Sequence, residues 1–400
     1  MAMPRSFLSR FMTVMAAAFA SVVTSSAQAV YVVDDSGGPG VDYTSLQEAV
    51  DVAGPLDRIE VRAGSYGMTV VRGPMTIMGE SSVAPTVVSV ARLEVRGSAM
   101  VPWPNGESLV VADLRADSLF VRDGGTTLLD NLDVEELSLI NASDVRLQRS
   151  FVHQGADVQS SVLQITSSTL TGNRLGLCDP GIGDGPSAMT VANGSEVTVT
   201  GSSLAGAPGQ DGSCTSSWAP GGHAILSTQS NLRIIRSDLW GGCHGWTCDC
   251  AGFSCGGFFP NGVALSLRCF GSTVITSETT FNSPVLCPRT DIPGLPAMTL
   301  EGQGLPTTTV DFSVFALGGS NTRLWVGRRS ALVPIAGLAV PRMHSFDRGL
   351  ALGSMAPSGV ISIPFVVPAL NRGTLIFAQS SRTLTAGPTE LSNPVTLIVR

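Results

Sequence analysis

The sequence contains no lysine, and all 24 of its basic residues are arginine. This absence excludes a Walker-type phosphate loop, Schiff-base chemistry and a lysine general base, because each of them needs a lysine. Aspartate and glutamate outnumber arginine with 31 residues, which gives a formal net charge of −7. A negatively charged chain is repelled by the phosphate backbone of nucleic acids, so nucleic acid is not an expected partner.

Aromatic and charged residues are also scarce, at 6% and 14% of the 400 residues. Glycine (45 residues) and proline (24 residues) are abundant, and 43% of the chain is hydrophobic. That is enough apolar side chain for a folded core. Together these features are typical of many short strands joined by turns and argue against an all-α fold.

A long hydrophobic run occurs at the amino terminus. Arg5 and Arg10 precede a stretch, residues 11–23, that is almost entirely apolar, and the Ala27-Gln28-Ala29 sequence fits a small-x-small cleavage site. The stretch is shorter than the roughly 20 residues of a membrane-spanning helix. We therefore expect residues 1–29 to be a signal peptide, with the rest of the chain secreted or at the cell surface and without a membrane span.

The eight cysteines are confined to residues 178–287. An even number of cysteines in an exported chain favours structural disulfides, whose pairing the sequence leaves open. The cysteines that we expect to be bridged are Cys178, Cys214, Cys243, Cys248, Cys250, Cys255, Cys269 and Cys287. A zinc site in the Cys- and His-rich stretch 243–255 is the alternative, although its spacing is not that of paired C-x2-C knuckles.

The central region repeats itself. Residues 195–204 and 230–239 share the pattern S-x-[VL]-x-[VI]-x-x-S-x-L, and looser copies begin at Ser143, Ser161 and Ser272. The long intervals between copies contain Gly- and Cys-rich insertions. Such repeats predict a solenoid whose coils have roughly 18 to 24 residues, with apolar side chains stacked inside.

A second strand precedes three of these copies. Aligned on their alanines, its copies lie at residues 188–191, 224–227 and 264–267. Each unit of the repeat is therefore expected to contain two strands. A β-sandwich also predicts alternation, but it does not predict repeats in register.

The amino-terminal part resembles a known family. Residues 43–50 (YTSLQEAV), 57–66 (DRIEVRAGSY) and 75–79 (MTIMG) are similar to the first helix and coils of right-handed parallel β-helix proteins of the pectin lyase-like superfamily. The resemblance implies an all-β fold in which a right-handed parallel β-helix covers residues 30–290. Its one short helix is expected near residues 45–53, with Ser45 and Glu48 as a capping box.

Residues 291–400 lack the repeat. Their alternating strands and Gly/Pro turns predict a small β-sandwich. The four prolines of residues 284–296 indicate a linker before it.

Catalytic patterns of the superfamily are not evident. The hydrolase pattern needs a Gly-His-Gly and an Arg-x-Lys, and neither is present. An acidic stretch from Asp113 to Asp144, interspersed with arginines, is interpreted as a solvated outer face, and His153 and His344 have no evident partner. We therefore predict no catalytic residues, no cofactor and no metal site.

Aromatic residues are concentrated in residues 240–260 and offer surfaces for sugar stacking, although they could instead form a hydrophobic cluster under a loop. The candidate ligand-stacking residues are Trp218, Trp240, Trp246 and Phe253. The expected function is a non-catalytic extracellular protein that binds a polysaccharide or another surface component, or serves as a structural element. A polysaccharide lyase with acids on neighbouring coils and an arginine base is the alternative.

Overall fold

The computed structural model describes residues 28–80, 87–97, 103, 107–172, 185–207, 221–242, 265–327, 329–333, 342–345, 348–355, 357–383 and 389–400. Most of the predicted signal peptide lies outside these residues. The chain divides into two compact units, Val30–Leu295 and Pro296–Arg400. Within the described residues, no helix has the length and apolar character needed to cross a membrane.

The first unit is a right-handed parallel β-helix, as the resemblance predicted. Its elements are β1 (Val30–Val33), α1 (Leu46–Val52), β2 (Arg58–Val61), β3 (Gly64–Val71), β4 (Thr76–Gly79), β5 (Val88–Arg96), β6 (Leu109–Ala112), β7 (Arg115–Arg122), β8 (Thr126–Asp130), β9 (Asp133–Ile140), β10 (Asp144–Gln148), β11 (Phe151–Val152), β12 (Ala156–Gln159), β13 (Val162–Thr166), β14 (Thr169–Thr171), β15 (Met189–Ala192), β16 (Glu196–Thr200), β17 (Ser203–Ala205), β18 (Ile225–Thr228), β19 (Asn231–Ile235), β20 (Asp238–Trp240), β21 (Leu267–Phe270), β22 (Thr273–Ser277), β23 (Thr280–Phe281), β24 (Val285–Leu286) and β25 (Arg289–Asp291).

The strands form two parallel sheets. Sheet A has eleven strands in the order β1-β2-β4-β6-β8-β10-β13-β16-β19-β22-β25, and the fourteen remaining strands form sheet B. Each coil passes through sheet A and then through sheet B. Leu163 pairs with Val145, which lies 18 residues earlier in the sequence. A coil without an insertion therefore has the length at the lower end of the range that the repeats predicted.

The sequence repeat sets the register of sheet A. Val145, Leu163, Val197, Leu232 and Val274 are paired in succession, and each is at most 3% exposed. Alternate residues along each strand point inward, which builds a column of aliphatic side chains along the axis. Burial of each such side chain contributes about 1.5–3 kcal/mol.

The repeated serines form the turn from sheet A to sheet B. Ser150 N–H donates to Ser168 Oγ at 3.2 Å, and Ser168 N–H donates to Ser202 Oγ at 3.1 Å. Each hydroxyl also donates within its own coil, as from Ser168 Oγ to Thr166 O at 2.9 Å. The residue before each serine turns the chain with a positive φ, as in Ser167 at 50°. A polar residue at a buried corner is therefore satisfied on both sides.

Two local expectations differ from the structure. Ser45 stands at the start of α1 but makes no side-chain capping hydrogen bond. Residues 284–296 are not simply a linker, because β24 pairs with β21 and β25 pairs with β22 as a last coil. The prolines lie between and beside these short strands, where no ladder hydrogen bond is lost.

The second unit is a small antiparallel β-sandwich, as predicted. Its strands are β26 (Ala297–Glu301), β27 (Thr309–Phe315), β28 (Asn321–Gly327), β29 (Arg329–Val333), β30 (Arg342–Ser345), β31 (Arg348–Ser354), β32 (Val360–Val366), β33 (Leu375–Thr383), β34 (Thr389–Leu391) and β35 (Val395–Ile398). One sheet has the order β26-β27-β32, and a second joins β31, β28, β33, β34 and β35. Phe312 and Val314 of the first sheet share a core with Leu324 and Ile376 of the second.

Candidate functional site

Sheet B is continuous in the early coils and broken in the later ones. Strands β3, β5, β7 and β9 run for eight or nine residues, whereas the following coils contain pairs of shorter strands, such as β11 and β12. At the first break, an extra residue beside Gly155, whose φ is 87°, forms a bulge. In the next three coils, insertions occur at the corresponding position, between the two short strands of sheet B. They comprise residues 173–184, 208–220 and 243–264, which lie outside the described residues.

The backbone at the base of these insertions is tightly packed. Gly222 N–H donates to Ala207 O at 2.7 Å, and Gly242 N–H donates to Gly222 O at 2.8 Å. A Cβ atom on Gly242 would lie 1.7 Å from Ala207 O, and one on Gly206 would lie 2.0 Å from Gly222 O. Only glycine permits this approach, so the described residues that border the insertions hold fixed positions at the break in sheet B.

A cleft of about 360 Å³ lies at the break in sheet B. Its polar lining consists of Glu136, Gln154, Asp157, Ser187, Thr190, His223 and Arg268. Asp157, Thr190, Leu226 and Arg268 are successive partners in register, so they form one outward row across four coils. Adjacent strands are about 4.8 Å apart, which makes this row about 14 Å long.

The charges are separated along the cleft. Glu136 and Asp157 come from the neighbouring paired strands β9 and β12 and place two carboxylates at one end. Arg268 is at the other end, where its guanidinium lies 5.0 Å from the centre of the Phe270 ring. The cleft can therefore offer acceptors at one end and donors at the other.

His223 contributes to the donor end. Leu265 N–H donates to its Nδ1 at 3.1 Å, and its Nε2 lies 3.4 Å from Arg268 Nη1. A neutral imidazole that accepts at Nδ1 carries its proton on Nε2. An Arg268 N–H that donates to Nε2 needs the other tautomer, so a neutral ring accepts only one of the two hydrogen bonds at a time, and Arg268 supplies N–H donors at the cleft wall in either case.

The acidic stretch does not form one solvated face, and that expectation was wrong. Asp113, Asp130 and Asp144 are buried, with at most 7% exposure. Asn131 Nδ2 donates to Asp113 Oδ1 at 2.8 Å, and Arg146 pairs with Asp144 at 2.9 Å. Asp130 and Asp144 alternate with the inward residues of sheet A and therefore lie on its outer side, where each is buried beside an arginine, Arg149 and Arg146 respectively.

His153 has a partner that the sequence analysis missed. Its Nε2 is 2.8 Å from Asp133 Oδ1, and Glu135 belongs to the same cluster. Gln154, the next residue, lines the cleft, so this cluster lies beside it on the outer face of sheet B. His344, the other histidine singled out in the sequence, belongs to β30 of the second unit.

Of the four candidate stacking residues, Trp240 lies within the described residues. It ends β20 with 50% exposure and pairs in register with Ala205. It is not among the residues that line the cleft. Trp218, Trp246 and Phe253 belong to the insertions outside the described residues.

Two of the eight cysteines are described, and they form a disulfide. Cys269, in β21, is bonded to Cys287, which follows β24 of the next coil. The other six cysteines lie outside the described residues, and their bridging remains a prediction. The disulfide links neighbouring coils near the end of the β-helix.

The residues of the cleft escaped sequence reasoning for identifiable reasons. Alignment of the second strand on its alanines placed Ala264 opposite Ala224. The structure instead pairs Ile225 with Leu267, so Ser266 is the residue opposite Ala224. The correct register, two residues later, brings Arg268 level with Thr190. Serine in place of alanine at this buried corner concealed the match.

Comparison with known proteins gives no further information about the site. No protein-family model and no curated protein matches the sequence. A similar solved structure is the enzymatically active domain of tailspike protein 2 of bacteriophage CBA120, with 10% identity over 93% of this chain and 71% of the other, and a TM-score of 0.21. The site is therefore interpreted from the geometry of this chain alone.

Proposed function

We propose that this protein is an exported β-helix that binds an extracellular polysaccharide in the cleft of sheet B without cleaving it. The observation that carries the proposal is the outward row Asp157, Thr190, Leu226 and Arg268, which crosses four coils at the floor of the cleft. An elongated site with regularly spaced polar groups suits a chain of repeated sugar units better than a compact small molecule.

The chemistry of the lining supports a carbohydrate ligand. Carboxylates such as Glu136 and Asp157 accept hydrogen bonds from sugar hydroxyls, and the guanidinium of Arg268 donates them. Leu226 lies between the polar positions and offers an apolar surface to the C–H face of a sugar ring. The two carboxylates outnumber Arg268, which favours an uncharged glycan over a polyuronate.

Exposed aromatic residues extend the surface beyond the cleft. Trp240 and Phe270 are each about half exposed, at 50% and 51%, and both belong to sheet B. In the sequence, Trp240 precedes and Phe270 follows the insertion 243–264, which contains Trp246 and Phe253. Aromatic rings near a polar cleft suit sugar stacking, so we assign Trp240 a supporting role in binding.

Export is supported by two features. Residues 1–29 have the pattern of a cleaved signal peptide. The Cys269–Cys287 disulfide is typical of an oxidising compartment.

Affinity measurements on a panel of neutral and acidic polysaccharides test the proposal. The chain without residues 1–29 should be retained by at least one neutral glycan, and Glu136→Gln and Arg268→Ala should each weaken this binding at least tenfold. Glu196→Gln changes an exposed glutamate of sheet A and serves as the matched control. Equal binding by the Glu136 and Glu196 variants, or no retention by any glycan, would show that the cleft is not the binding site.

A polysaccharide-cleaving enzyme is the second candidate. It is favoured by one observation, which is that Glu136 and Asp157 from neighbouring coils line the same cleft as Arg268. Paired carboxylates can act as general acid and base, and an arginine can neutralise a substrate carboxylate. Incubation of each bound glycan with the protein distinguishes the two: new reducing ends or unsaturated products that disappear in Glu136→Gln identify an enzyme, and an unchanged glycan supports binding alone.

A further inference from the structure

We infer that Asp133, Glu135 and His153 form a binding site for a divalent transition-metal ion of the zinc type. One ligand atom from each of the three side chains lies within 4.8 Å of the other two. This site is distinct from the glycan-binding role proposed for the cleft and does not depend on it.

The β-helix places the three side chains together. Asp133 and Glu135 are alternate residues of β9 and therefore project from the same face of sheet B. Phe151 of the next coil pairs with Asp133, which brings His153, two residues later, beside Glu135. The cluster thus depends on the coil register, since the histidine is 18 residues from Glu135 in the sequence.

Neighbouring groups hold two of these side chains in place. Arg115 Nη2 donates to Glu135 Oε1 at 2.8 Å, and Gln154 Nε2 donates to Glu135 Oε2 at 3.3 Å. The His153 ring lies 4.3 Å from the Phe151 ring, centre to centre. Partners of this kind orient the ligands of metal sites and reduce the cost of collecting them around an ion.

The ligand set selects the class of metal. Imidazole nitrogen with two carboxylates suits zinc and related ions, whereas calcium and magnesium prefer oxygen alone. Small side-chain rotations would bring the three ligand atoms to zinc-bond distances of about 2.0–2.2 Å. The ion would bind His153 Nε2 in place of its hydrogen bond to Asp133, and the ring proton would move to Nδ1. The side chains are 22–38% exposed, which leaves room for water to complete the coordination.

Calorimetric titration of the full chain with ZnCl2 tests the inference. Free thiols are first alkylated with iodoacetamide, so that cysteines of the insertions cannot bind the ion. We expect one zinc ion per chain, with no comparable binding of CaCl2. His153→Ala should weaken zinc binding at least about tenfold, and Glu135→Gln should weaken it as well.

Asp117→Asn is the matched control, because Asp117 is a neighbouring acid on the same face of sheet B, 3.9 Å from Arg115, and outside the cluster. It should bind zinc as the unmodified sequence does. Zinc should also raise the thermal unfolding temperature of the parent chain but not that of His153→Ala, because a ligand of the native state stabilises it. Three results would each contradict the inference: zinc binding only before the thiols are alkylated, calcium binding as tight as zinc binding, or equal effects of the Asp117 and His153 substitutions on zinc affinity.

Discussion

The backbone N–H of Ser168 donates to the hydroxyl oxygen of Ser202, one coil further along the β-helix, at 3.1 Å. Ser202 in turn donates its N–H to Ser237 Oγ at 3.3 Å. The relationship explains why serine recurs at a fixed position of the repeat. A hydroxyl there satisfies a buried N–H of the preceding coil, and an apolar residue would leave that group without an acceptor.

Ser202→Ala should therefore lower the free energy of unfolding of the β-helix by about 1–3 kcal/mol, because Ser168 N–H loses its acceptor in a buried corner. Ser203→Ala, one residue later and on the outer side of β17, is the control and should have an effect below about 0.5 kcal/mol. Urea unfolding followed by circular dichroism measures both. Similar losses in the two variants would show that the hydroxyl ladder is not what stabilises the turn.

A single methyl group at the base of the insertions should be more damaging. In Gly206→Ala the new Cβ would lie 2.0 Å from Gly222 O, a distance that requires the backbone to move. We expect a loss of about 2–4 kcal/mol. Gly67→Ala is the matched control, since a Cβ there meets no atom within 4 Å. The thermal unfolding temperature of Gly206→Ala should be clearly lower than that of Gly67→Ala.

The fold was accessible from the sequence because its signal is repeated. Val197 and Leu232 occupy equivalent positions of the repeat, and the structure pairs them directly. Alternation of apolar residues and a serine at the corner between the two sheets recur in each copy and carry the same information, although insertions change the length of the coils. Each copy of the repeat therefore supports the others.

The cleft was less accessible because its residues come from single, unrepeated positions. Glu136 and Arg268 are more than one hundred residues apart, and only the correct register brings both to one cleft. Asp157 belongs to β12, which follows a bulge of one residue, so no insertion marks its position. Nothing in the local sequence distinguishes these outward polar residues from solvated ones.

The Cys269–Cys287 disulfide should stabilise the last coils. It closes a segment of 18 residues, for which the loss of chain entropy in the unfolded state corresponds to about 3 kcal/mol. The double substitution Cys269→Ser/Cys287→Ser should lower the unfolding free energy by up to that amount. Mass spectrometry of an unreduced digest checks the pairing, and a different partner for either cysteine would contradict it.

Acid should weaken the β-helix through specific carboxylates. The pKa of Glu94 is held below its ordinary value, chiefly by Arg96, whose Nε donates to Oε1 at 2.7 Å. The hydroxyl of Thr276 lowers the pKa of Asp291 in the same way, with a further contribution from Arg289. A depressed carboxyl pKa in the folded state means that the unfolded chain binds more protons at low pH. The stabilisation is therefore complete above the unfolded pKa of about 4.3 for Glu, and is lost as the pH falls through the folded value.

Glu94→Gln isolates this effect. At pH 7 the variant should be less stable than the parent, because Arg96 and Arg92 lose the carboxylate that they share. Well below pH 4 the parent's Glu94 is itself protonated, so the difference in unfolding free energy between the two proteins should shrink. Glu196→Gln, at an exposed position of β16, serves as the control. The midpoints of urea unfolding at pH 7, 5 and 3 provide the measurement. Proton linkage requires the stability difference between parent and Glu94→Gln to follow the titration of the carboxyl group. A difference that stays constant over this pH range would therefore show that the ion pair of Glu94 does not contribute to acid sensitivity.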